Sequence, residues 1–264
     1  MAALAFSADL GLLWPGLAPD RAISRAAAAG FTAIELHWPD AGDIPAIRAA
    51  LDRTGLPLLG LNTARGDVAA GEFGLSALPG RSDQARAAIE DALAKARALN
   101  ARAVHVMAGK AQGDAAQAGF VAALRHASDL AAPHGITVLI EPLNHRDVPG
   151  YFLTDPAHAA AIIAETGRDN IRVMLDCYHM GMNGLDPLAV QAALGDLVGH
   201  VQFAAVPDRT EPDHGRIDYA DLLPRMAQAG YRGWFGAEYR PCGDTAAGLG
   251  WMKGFAAGRA GSNG

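Results

Sequence analysis

Cysteine is scarce: the 264 residues contain two, Cys177 and Cys242. A disulfide framework and a four-thiolate zinc site are therefore excluded, and both residues are expected to be small buried hydrophobes. A surplus of basic charge is also missing, since 22 Lys and Arg stand against 28 Asp and Glu for a net charge of −6. Such a balance argues against a partner held through its phosphate backbone, so nucleic acid is not expected. No stretch reaches the roughly 20 uninterrupted apolar residues of a membrane-spanning helix. The apolar N-terminus lacks a basic leader and is broken by Asp9, so it reads as a first strand and the protein as cytoplasmic. Neither G-x-G-x-x-G nor G-x-x-x-x-G-K-[ST] opens a helix anywhere.

What the chain does have is a regular alternation. Half of it is hydrophobic, and short strand-like runs alternate with Ala-rich segments of helical period. The strands are expected at 4–10, 32–37, 57–62, 103–108, 136–141, 171–177, 199–204 and 234–239. The helices are expected at 20–29, 44–54, 84–99, 115–132, 155–166, 187–194 and 219–229, with a last one at 245–255. Phe120, Leu124, Ala127 and Ala131 mark one helical face. Glycine follows several helices, at Gly30, Gly55, Gly135, Gly167 and Gly230, where a left-handed residue is needed to stop them. Eight βα units without a linker predict a single (β/α)8 barrel over residues 1–257, followed by a disordered Gly/Ser tail at 258–264. A doubly wound open sheet is the alternative, but its phosphate cradle is missing.

In such barrels the reactive groups lie at the carboxyl ends of strands. Strand five ends on Glu141, strand six on Asp176, strand seven carries His200 and Gln202, and strand eight ends on Glu238. Each follows an apolar run, where an unpaired carboxylate would cost several kcal/mol or be forced to neutralise. A cation removes that conflict. Three carboxylates and one amide form an oxygen-rich site suited to Mg2+ or Mn2+, and an inward-facing His200 would move the preference towards a softer metal. His37, His105, His134 and His158 look isolated and receive no role. A divalent ion between two glutamates points to proton abstraction beside a carbonyl through an enediolate. Isomerisation and epimerisation share that intermediate, and these residues do not separate them.

The segments IEPLNH (140–145), PGYFLT (149–154), DCYHM (176–180), GHVQ (199–202), PDRTEP (207–212) and EYRP (238–241) resemble the hydroxypyruvate isomerase family, within the xylose isomerase-like barrels. Asn62, Gly66 with Asp67, AAGE (69–72), LPGR (78–81), Gly109 with Lys110 and AGLGWM (247–252) extend the resemblance, in order, through nearly the whole chain. It implies isomerisation of hydroxypyruvate to tartronate semialdehyde, or of a 2-oxo-tetronate. Glu141 and Glu238 would be the acid/base pair, and Glu141, Asp176, Gln202 and Glu238 the metal ligands. Lys110, His179 and Arg209 would bind a small hydroxy-oxo acid, whose carboxylate and hydroxyls suit cationic donors. Relatives often form homo-oligomers, but no contact face is legible here. Gln202 favours the isomerases, because the ketose 3-epimerases resemble this site with His at that place. Leu61, Arg65, Ala205, Thr210 and Arg216 depart from the family pattern. Arg65 in particular adds a cation suited to a longer or more anionic substrate. A ketose 3-epimerase and a sugar-acid-binding barrel without turnover are the competing readings. A metal-dependent endonuclease would need more histidine ligands and a basic groove.

Overall fold

Each short apolar run becomes a strand because its Val, Ile, Leu and Phe side chains can be covered on both sides, by the barrel interior and by the helical layer. A computed structural model describes residues 4–256. The strands are β1 (Phe6–Asp9), β2 (Ala33–Glu35), β3 (Gly60–Asn62), β4 (Ala103–His105), β5 (Thr137–Ile140), β6 (Ile171–Asp176), β7 (Val198–Phe203) and β8 (Phe235–Ala237). All pair in parallel, in the order β2-β1-β8-β7-β6-β5-β4-β3. The two ends of that order meet: Ile34 bridges Leu58, and the Leu36 amide donates to the Gly60 carbonyl at 3.0 Å. The sheet thus closes into the expected (β/α)8 barrel. The tail expected at 258–264 lies outside the described residues.

The helices are α1 (Pro19–Ala28), α2 (Ile44–Thr54), α3 (Ser82–Leu99), α4 (Asp114–Ala131), α5 (Pro156–Thr166), α6 (Cys177–Met182), α7 (Pro187–Leu194), α8 (Tyr219–Gln228) and α9 (Met252–Ala256). Phe120, Leu124, Ala127 and Ala131 form the buried face of α4, as their spacing predicts. Gly55 and Gly167 stop α2 and α5 with φ of 70° and 65°, a conformation that costs a residue with a Cβ. The last expected helix divides into a 3-10 turn (Ala247–Trp251) and α9.

The chain departs from expectation at residue 177, where the strand pattern runs on but the backbone turns. The Asp176 carboxylate accepts the Tyr178 amide proton at 2.8 Å and caps α6 as soon as β6 ends. Cys177 is buried as expected, whereas Cys242 is exposed in the loop after β8. None of the described helices is long and apolar enough to cross a membrane.

Candidate active site

Parallel strands bring all eight carboxyl ends to one face, so residues far apart in sequence converge there. Glu141 follows β5, Asp176 ends β6, Gln202 lies in β7 and Glu238 follows β8; all four are buried. Glu141, Gln202 and Glu238 line a cavity of about 370 Å3 along the barrel interior, together with Asp9, Glu35, His37, His105 and His200.

The cations in this group are unevenly shared. Arg209 Nη2 donates to Glu238 Oε2 at 2.6 Å and lies 3.7 Å from Asp176 Oδ2. The Arg209 backbone is left-handed, with φ 58°, and is fixed by its amide donating to Ala205 and its carbonyl accepting from Arg240. His37 Nε2 lies 3.2 Å from Glu238 Oε1 and 3.1 Å from Asp9 Oδ1. Burial alone would raise the Glu238 pKa, but Arg209 and His37 outweigh it and hold this carboxyl well below the usual range. Burial opposes a charge on His37, yet Asp9 and Glu238 carry its pKa up to about 10. Glu141 has no cation at hydrogen-bond distance among the described residues. Burial raises it well above the ordinary carboxylate value, the Glu238 and Asp176 charges add to that, and the more distant Arg209 and His37 only partly offset them. Burial and the Glu238 charge push Asp176 up to about 8.

His179 is oriented by its other ring nitrogen. The Asn144 side-chain oxygen accepts the amide protons of Arg146 and Asp147 at 3.0 and 2.9 Å, so Asn144 Nδ2 is the donor and reaches His179 Nδ1 at 2.7 Å. The Asn144 backbone N–H donates to the same Nδ1 at 3.1 Å. Burial brings the His179 pKa down to about 3, so the ring is neutral. A neutral imidazole that accepts at Nδ1 carries its proton at Nε2. That proton is turned towards Glu141 Oε1 and Asp176 Oδ2, at 3.8 and 3.6 Å from Nε2. In this tautomer His179 is a donor into the site and has no lone pair to offer a metal there.

The donor set fits a divalent cation. Glu141 Oε1, Asp176 Oδ2 and Gln202 Oε1 are buried and accept no hydrogen bond, an arrangement a cation would relieve. The two Glu238 oxygens each face one cation already, His37 and Arg209, and each keeps a further lone pair. His200 faces inward as considered, but its Nε2 lies 3.0 Å from Glu35 Oε2. That is an ion-pair distance without hydrogen-bond alignment, and the ring is turned towards Glu35 on β2. Burial opposes ionisation of Glu35, and His200 overcomes it to leave the pKa lowered.

Lys110 stands apart. It is exposed in the loop after β4 and has no ion pair among the described residues, so it sits at the rim rather than with Glu141 and Asp176. Arg65 lies half-buried with its guanidinium carbon 3.9 Å from the Trp38 ring centroid. Trp38 is pinned by its indole N–H donating to the Thr63 carbonyl at 2.9 Å, and its ring lies beside His37. Leu61 and Ala205 are core residues, and Arg216 donates to the Gly181 carbonyl at 3.3 Å.

Two histidines assigned no role on sequence grounds belong to the site. His37 links Asp9 to Glu238, and His105 is buried beside Glu141, with Nδ1 3.8 Å from Oε2. Burial lowers the His105 pKa to about 4. Their isolation in sequence misled because β1 lies between β2 and β8, so partners some 200 positions apart become neighbours. The strand-end rule that found Glu141 and Glu238 would have found Asp9, Glu35, His37 and His105, had it been applied to the first four strands. His134 and His158 do stay outside, bonding Arg97 and Gln117.

Comparison with known proteins agrees with this fold. Residues 23–255 match the family described as xylose isomerase-like TIM barrel. The 2-oxo-tetronate isomerase of Cupriavidus necator is 42% identical over 94% of this chain and 97% of its own. The hydroxypyruvate isomerase of Escherichia coli is 34% identical over 94% and 98%. A crystal structure described as an AP endonuclease, family 2, from Brucella melitensis superposes with a TM-score of 0.91 at 38% identity, covering 95% of this chain and 98% of that one. D-allulose 3-epimerase from Methylomonas sp. shares the fold, with a TM-score of 0.78 at 22% identity, over 96% and 98%. The chain belongs to the xylose isomerase-like TIM barrel family, in the branch that holds the hydroxypyruvate and 2-oxo-tetronate isomerases.

Proposed function

We propose that this protein is a divalent-metal-assisted isomerase of a small hydroxy-oxo acid, converting hydroxypyruvate to tartronate semialdehyde or acting on a 2-oxo-tetronate. The observation that carries this reading is the pair Glu141 and Glu238, buried on one cavity from β5 and β8, with the unbonded Glu141 Oε1 joined by two more buried oxygens that accept nothing, Asp176 Oδ2 and Gln202 Oε1. Glu141, Asp176, Gln202 and Glu238 would hold the ion, and their oxygen chemistry suits Mg2+ or Mn2+. When bound, the ion polarises the substrate carbonyl and hydroxyl oxygens and so acidifies the adjacent C–H.

The remaining work falls to side chains. One glutamate removes the proton from the hydroxyl-bearing carbon, leaving an enediolate. The other delivers a proton to the former carbonyl carbon, while the hydroxyl proton passes to the neighbouring oxygen. Arg209 keeps Glu238 oriented and offers a cationic donor to the substrate carboxylate; His179 offers its Nε2 proton to a substrate oxygen. Lys110 serves at the rim, where an anionic substrate arrives. Gln202 in place of histidine favours isomerisation over 3-epimerisation, and the net charge of −6 disfavours a nucleic acid substrate.

Glu238→Gln keeps the volume and an oxygen but removes a carboxyl that takes or gives the proton. It should melt within a few degrees of the wild type and lose about 10²–10⁴-fold in kcat. Folded protein with full turnover would exclude Glu238 from the reaction.

A further inference from the structure

An amide side chain has two orientations that differ only by exchanging oxygen and nitrogen, and only one of them makes Gln202 an oxygen ligand. Gln202 Nε2 donates to Glu35 Oε2 at 2.8 Å, across the barrel interior from β7 to β2. Ser7 Oγ, from β1, donates to the other Glu35 oxygen at 2.6 Å, and His200 Nε2 lies 3.0 Å from the oxygen that Gln202 uses. Glu35 therefore accepts from both Gln202 and Ser7, with His200 at ion-pair distance. β8 contributes an absence: a Cβ at Gly236 would collide with Glu35 Oε1 and lie 2.9 Å from His200 Nε2. β1, β7 and β8 thus keep this carboxylate of β2 in one place. If the Gln202 amide were reversed, two acceptors would face each other with no proton between them.

We propose that Glu35 is a positioning residue that turns the Gln202 carbonyl oxygen to the metal and its NH2 away, an inference that rests on the metal-assisted reading above. Gln202 Oε1 is buried and accepts nothing within the protein, which is the state this orientation leaves it in. The consequence is an all-oxygen ligand set, and with it a preference for Mg2+ or Mn2+ over softer ions. Glu35 touches no ligand atom other than through Gln202, so its effect on metal binding must vanish when Gln202 is gone.

Calorimetric titration of chelator-stripped protein with Mn2+ tests this without reference to turnover. Gln202→Ala and Glu35→Met should each weaken Mn2+ binding about tenfold, the lower end of the effect of residues that orient metal ligands. The double variant should bind no more weakly than Gln202→Ala alone. Glu35→Gln, which keeps the volume and one acceptor, should lose less, and that loss should also disappear in the Gln202→Ala background; it serves if Glu35→Met does not fold. Wild-type affinity in Glu35→Met, or equal losses in both backgrounds, would overturn the positioning role while leaving the metal site standing. Failure of the wild type itself to bind Mn2+ would overturn the metal reading and this inference with it.

Discussion

At Arg65 a single side chain sets the expected reach of the pocket. Its guanidinium is stacked on Trp38, with no carboxylate paired to it among the described residues, so its N–H edges are open to an anion. Trp38 in turn flanks His37, which touches Glu238. A charged contact of this kind is worth about 1.5–3 kcal/mol when made to a ligand. Arg65→Ala should therefore lower kcat/KM for a four-carbon oxo acid by about tenfold or more while changing that for hydroxypyruvate much less. The ratio of the two specificity constants is the measurement, and an unchanged ratio would remove Arg65 from substrate recognition. Arg65 was legible in sequence only as a foreign cation in a loop. The stacking that gives it direction depends on Trp38, 27 positions earlier, and on the β2–β3 closure that brings the two loops together.

Between elements, the C-terminal segment supports the end of β8 that carries Glu238. Trp251, in the last 3-10 turn, packs edge-on against Phe6 of β1 at 5.2 Å and Phe203 of β7 at 5.4 Å, and its indole N–H donates to the Tyr239 hydroxyl at 3.2 Å. Tyr239 is the residue after Glu238, so the segment braces the strand end that carries Glu238 from behind. Trp251→Ala removes a buried aromatic from three partners and should destabilise the protein by about 3–5 kcal/mol in denaturant unfolding. A loss under about 1 kcal/mol would show that the segment is not part of the barrel core. The existence of strands and helices was readable because period 2 and period 3.6 differ plainly in an Ala-rich chain. Short α6 was not, because its cap is Asp176, a residue whose strand-end position suggested a ligand and concealed a helix start. The carboxylate splits its oxygens, with Oδ1 capping the helix through the Tyr178 amide and Oδ2 accepting no hydrogen bond, 3.6 Å from His179 Nε2.

Across the whole molecule, closure of the sheet decides the chemistry. β1 pairs with β8 and β2 with β1, so Asp9 and His37 flank Glu238, while Glu141 and Asp176 on β5 and β6 are left with less positive charge. That Glu141, Asp176, Gln202 and Glu238 gather at one end of the barrel could be read from sequence, because each of four successive strands carries its own polar residue at or near its end. The cations and acceptors that surround them, His37, Asp9, Glu35 and His105, come from strands distant in sequence, and only the closed barrel shows which carboxylates they reach. The measurement that bears most directly on the proposed isomerase is NMR of hydroxypyruvate and a 2-oxo-tetronate in D2O, with chelator-treated protein before and after Mn2+ or Mg2+ is restored. The account predicts metal-dependent incorporation of solvent deuterium together with conversion of at least one of the two acids to its isomer. Binding of both acids with neither exchange nor conversion, in protein shown to be folded and metal-loaded, would contradict it and leave a barrel that holds such acids without turning them over.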